Sequence, residues 1–96
     1  MTSAEALAIA EAKRTVHEIP PNAHSSPGVR MWIELGQAQP DRKWLVRDEL
    51  VWVVRFTLPG AWIDLAISEK TREVVRVEKS RGYVLTYDQQ NQEPIR

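Results

Sequence analysis

Ninety-six residues, 43% of them apolar and 27% charged, suit one globular domain with one core. Thirteen Lys and Arg residues balance thirteen Asp and Glu, so no net field draws the chain to nucleic acid or to an anionic membrane. The lack of cysteine excludes disulfides, thiol catalysis and thiolate metal sites, and no apolar run approaches the roughly 20 residues that span a bilayer.

The chain opens on a helix. Thr2 and Glu5 have capping-box spacing, and the run Ala4 to Ala12 is rich in strong helix formers. Ile9, Ala12 and Val16 share the expected buried stripe, with Leu7 and Ala8 at its edge, and Pro20 and Pro21 end the helix near His17 or Glu18. Glu5 and Glu11 interrupt the apolar residues of this segment, so it does not read as an export leader. A stiff loop is expected from Pro20 to Gly28.

Val29 to Leu35 alternates as a strand with Val29, Met31 and Ile33 on one side and Arg30, Trp32 and Glu34 on the other. Turn residues Gly36 to Asp41 follow, then an extended Lys43 to Arg47 that can close a hairpin. The strongest pattern begins at Leu50. Leu50, Trp52, Val54, Phe56 and Leu58 fall on a core face and Val51, Val53, Arg55 and Thr57 on the opposite one. Pro59 and Gly60 turn the chain, after which Ala61, Ile63, Leu65 and Ile67 point inward and Trp62, Asp64 and Ala66 outward. Past the turn Ser68 to Arg72, Val75 and Val77 are expected inward, with Val74, Arg76 and Glu78 outward. A last apolar run, Tyr83 to Tyr87, closes a domain spanning residues 1–88, and residues 89–96 form a polar tail. The expected fold class is α+β, one N-terminal helix packed on an antiparallel sheet of about four strands in two layers.

The helix Ser3 to Ala10, the strand Trp52-Val53-Val54-Arg55-Phe56, and the segments Ile63 to Ile67 and Lys70 to Val75 together resemble a PepSY-type domain. The resemblance covers about two thirds of the chain and implies a helix on an antiparallel sheet, with an acidic-threonine-glycine turn between late strands. Here Ser68 replaces the acidic residue and Arg72 the glycine. Because a side chain costs roughly 1–2 kcal/mol at positive φ, Arg72 implies a longer or right-handed turn. Cystatin-like folds, and those of the nuclear-transport-factor type, share this plan, so architecture alone does not select a function.

Chemistry is sparsely signalled. His17 and His24, with Ser25, Ser26 and Glu18, lack the nucleophile elbow or oxyanion turn of a hydrolase, and their spacing fits no helix-borne metal pair. No glycine-rich phosphate loop is present. Arg42, Lys43 and Arg47 around Trp44, with Arg30 near Trp32, could stack a base, but Asp41, Asp48 and Glu49 neutralise them. The expectation is therefore a protein that is not an enzyme, with no catalytic residues, no cofactor, no metal and no nucleic-acid partner. Asp64, mid-strand, calls for a cationic partner such as Arg55 or Arg76. The outward sheet face, with Val51, Val53, Trp62 and Val74 bordered by Arg55, Asp64, Arg76 and Glu78, has the composition of a protein contact centre. It points to a protein-binding or inhibitory module, engaging a partner or a second copy through this face or a sheet edge. The alternative is a ligand-binding or enzymatic domain with a pocket between helix and sheet lined by Trp52, Phe56 and Ile63.

Overall fold

The protein is described by a computed structural model covering residues 1–38, 44–80 and 84–85. Among these residues one helix, α1 (Ser3–Ala12), precedes six strands: β1 (His24–Ser25), β2 (Val29–Ala38), β3 (Trp44–Leu58), β4 (Ala61–Ser68), β5 (Val74–Lys79) and β6 (Val84–Leu85). All strand pairs are antiparallel. Across the sheet the order is β1-β3-β4-β5-β6, and β2 shares with β1 the same edge of β3. The sheet is thus five strands wide with a helix on one face, the expected two-layer α+β class. Strand β2 runs on through Gly36 to Ala38 in place of the expected turn, because these residues continue the ladder to β3. Residues 39–43, among them Arg42 and Lys43, the ends of the Tyr83 to Tyr87 run and the polar tail lie outside the described residues.

Helix α1 starts where the sequence places it. Thr2 and Glu5 cap each other's backbone amides at 3.1 and 2.8 Å. Its end and its buried face differ from expectation. The helix stops at Ala12, and the fully buried positions are Ala6 and Ala10, whereas Ala8, Ala12 and Val16 are exposed. Ala6 and Ala10 stand one turn apart and let the helix axis approach closely. A Cβ added at Gly28 would lie 3.0 Å from the Ala6 Cβ, and the Ser3 hydroxyl donates to the Gly28 carbonyl at 2.8 Å. Glycine is favoured at this point by close contact rather than by φ.

The helix ends are tied down by charge. Arg14 pairs with Glu11, donates to the carbonyls of Pro20 (3.2 Å) and Ala23 (2.9 Å), and lies 4.8 Å over the Phe56 ring. Hydrogen bonds from Arg14 and then Ser25 hold the Glu11 carboxyl down at about 2. His17, placed by the turns that follow the helix, is buried, and that burial, ahead of Lys13 and Lys79, lowers its pKa. At the other end Glu69 accepts from the Met1 ammonium and the Trp52 indole.

The segment expected as a loop instead contributes β1, whose His24 and Ser25 stand opposite Thr57 and Phe56. Strand β3 likewise continues without a break through Asp48 and Glu49, pairing with β2 from Trp44 to Val53 and with β4 from Val51 to Leu58. The helix-side core gathers Ala6, Ala10, Ile19 and Ala23 with Val54, Phe56, Ile63, Leu65, Ile67, Val74 and Val77. Burying this apolar set supplies the main driving force for folding.

The β4–β5 turn is built on Ser68. Its hydroxyl donates to Glu49 at 2.6 Å and accepts from the amides of Lys70 (3.2 Å) and Thr71 (3.1 Å). The Arg72 amide donates to the Ser68 carbonyl at 2.8 Å. The loop is long, as expected, yet Arg72 adopts φ +62°, so the right-handed alternative is corrected. The five-residue loop from Glu69 to Glu73 re-enters β5 through a left-handed residue, and Arg72 accepts that strain in place of glycine.

Candidate functional site: the sheet face opposite the helix

In an antiparallel sheet, residues directly opposite one another share a face. Val53 stands opposite Val29 and Ala66, Val51 opposite Met31 and Ser68, and Arg55 opposite Asp64. Odd positions of β2 and β3 and even positions of β4 therefore point away from the helix, as expected for Val51, Val53, Arg55, Trp62 and Asp64. Here a second apolar cluster forms from Ile33, Val51 and Ala66, with Leu35, Val53 and Val75 packed against it. Val29 (61%) and Met31 (44%) extend it to solvent.

Val74 is the correction on this face. Ile67 pairs with Val74 but Ala66 with Arg76, so Val75 is an extra residue in β5. This bulge reverses the side-chain parity before it. Val74 consequently joins the helix-side core, Val75 takes the outer face, and Arg76 remains outward beside Ala66. Val51, although outward, is fully buried beneath its neighbours, so it supports the face without being presented by it.

Ion pairs surround and divide this face. Arg55 grips Asp64 with two bonds, Nε to Oδ1 at 2.8 Å and a terminal nitrogen to Oδ2 at 3.0 Å. The same guanidinium lies 4.0 Å over the Trp62 ring. Asp64, expected to need a cation, has found Arg55. Arg76 approaches Glu78 at 3.9 Å, and Arg47 pairs with Glu49. The Ser68 hydroxyl, then Arg47, hold the buried Glu49 carboxyl below its ordinary range despite desolvation. The charged row through Arg55, Asp64 and Glu78 separates Trp62 from the valine cluster, so the apolar island expected from the sequence is two patches.

The structure thus brings together Val53, Arg55, Trp62, Asp64 and Arg76 as outward, partly accessible side chains. Sequence reasoning missed Val29, Met31, Leu35 and Val75 as members. The alternation of β2 marks the first three as sharing a side, but which side requires its pairing with β3. On the other face Phe56 and Ile63 are buried in the helix-side core, and Trp52 packs at its margin. Among the described residues no group of three or more His, Asp or Glu is placed to hold a metal ion, and no helix is long and apolar enough to cross a membrane. Compared with known proteins, the chain matches no family model, no curated protein and no solved structure.

Proposed function

We propose that this chain is a non-enzymatic protein-binding or inhibitory module whose partner docks on the sheet face opposite the helix. The observation that carries the reading is a second apolar cluster, centred on Val51 and Ala66, on the face that α1 leaves uncovered. Its exposed extension through Val29 and Met31 and its rim of arginine–carboxylate pairs match the anatomy of an interface, with an apolar centre and an ordered polar border. Arg55, held by Asp64 and stacked on Trp62, is pre-ordered, which lowers the entropy cost of using it in recognition. The PepSY-like relationship belongs to the same proposal. In its favour, Ser68 serves the turn amides where that family has an acidic residue, and Arg72 is left-handed where it has glycine.

The test is site-specific photocrosslinking in cells, with a benzophenone side chain at Trp62 and a control at Val16, which is exposed beyond the helix. A discrete protein adduct at 62 and none at 16 is the expected result. Equal labelling at both positions would defeat the reading.

A further inference from the structure

The hydrogen-bond direction of each strand fixes what its edge offers. The Glu69 amide donates to the Leu50 carbonyl at 2.9 Å, on the β4 side of β3, and the Ser26 amide donates to the Arg55 carbonyl at 2.9 Å, on the opposite side. Even residues of β3 therefore bond toward β4 and odd residues toward β1 and β2, since these groups alternate along an antiparallel strand. Val53, Val51 and Glu49 exchange bonds with Val29, Met31 and Ile33. Arg30, Trp32 and Glu34 are left with their N–H and C=O groups aimed outward. Among the described residues no strand pairs with that side of β2, and Trp32 is 67% exposed.

We infer that the outer edge of β2 pairs antiparallel with β2 of a second copy, with the twofold axis at Trp32. In this register Arg30 faces the second copy's Glu34, Val29 its Leu35, Met31 its Ile33, and Trp32 itself. Each outward-bonding residue meets another outward-bonding residue, so the ladder closes. The cross-strand pairs are also complementary: the salt bridge forms twice, once on each side of the axis, and the pairs Val29–Leu35 and Met31–Ile33 fall on the face that carries the second cluster. Moving the centre to Met31 puts Glu34 opposite Gly28, and moving it to Ile33 puts Arg30 opposite Gly36. Either shift loses both ion pairs. A long strand edge free of proline invites pairing of this kind, and its two charges select the register. This inference goes beyond the face reading, since it assigns a second copy to the edge of β2, and it joins two outer faces into one surface.

Light scattering after size exclusion, on the full chain from micromolar to near-millimolar concentration, is the test, with far-UV circular dichroism verifying that each variant is folded. A wild-type dimer is expected. Arg30→Glu and Glu34→Arg, each setting like charges opposite one another twice, should raise its dissociation constant about tenfold or more. The double reversal should restore it to within about threefold. A monomer throughout, or singles that weaken the dimer with no rescue by the double, overturns the inference. A dimer indifferent to both reversals but lost in Trp62→Ala overturns it too and assigns self-association to the face. Crosslinks at position 62 in a monomeric protein would sink the edge inference and leave the face reading standing.

Discussion

Each face of the sheet carries an arginine laid over an aromatic ring, and the two contacts serve different ends. Under the helix, Arg14 covers Phe56, and its remaining nitrogens are committed to Glu11 and to the carbonyls of Pro20 and Ala23. Phe56 is wholly buried and the guanidinium closes the core where the helix ends. On the other face Arg55 covers Trp62 and holds Asp64, with about half its side chain in water. Similar chemistry acts as a seal where a chain segment covers it and stays available for contact where no described segment does. Burial of the ring, rather than the cation–π pair itself, separates structural from accessible aromatics here.

That contrast can be broken most strongly at Phe56. Phe56→Ala should cost about 3–5 kcal/mol in urea unfolding, because it empties the centre of the helix-side core and leaves Arg14 without its ring. Acid comes next. Glu11 is held at about 2 against an ordinary 4.5, so its contribution is complete above about 4.5 and is lost as pH falls toward about 2. The urea midpoint should drop over that interval and Glu11→Gln should flatten the drop, by less than the core truncation because the pair is partly solvated. Trp62→Ala removes a partly buried ring at the margin of the outer face, so about 1 kcal/mol or less and an unchanged far-UV spectrum are expected. Collapse of the native spectrum would place Trp62 with Phe56 and erase the distinction. The smallest change expected is a gain: Arg72→Gly should relieve left-handed strain and stabilise by up to about 1 kcal/mol, less whatever the 3.6 Å pair between Arg72 and Glu5 supplies.

The parity of β3 and β4 was legible from residues because their alternation has contrast, with Val54 and Phe56 against Arg55 and Thr57. Val74-Val75-Arg76-Val77 has none, since two adjacent valines satisfy either register, and only the pairing of Ala66 with Arg76 reveals the bulge. The helix misled for a related reason. When nearly every residue is alanine or apolar, periodicity does not mark one side, and the side chosen is the one whose smallness fits, Ala6 and Ala10 against Gly28. Asp48-Glu49 looked like an interruption, because the buried Ser68 hydroxyl that supports Glu49 lies nineteen positions away. Within the candidate site, the charged pair Arg55–Asp64 followed from cross-strand logic. The contribution of β2 did not, as it depends on a long-range register.

Ser68 has a consequence for the mechanics of the sheet. Beyond the bond from the Glu69 amide to the Leu50 carbonyl, the stretch of β3 from Trp44 to Glu49 is laddered, among the described residues, only to β2, and such a two-stranded ribbon would be free to swing. By engaging Glu49 on one side and the amides of Lys70 and Thr71 on the other, one hydroxyl braces the root of that ribbon against the neighbouring turn. The angle at which the ribbon leaves the body is thereby tied to the shape of a loop on a different hairpin.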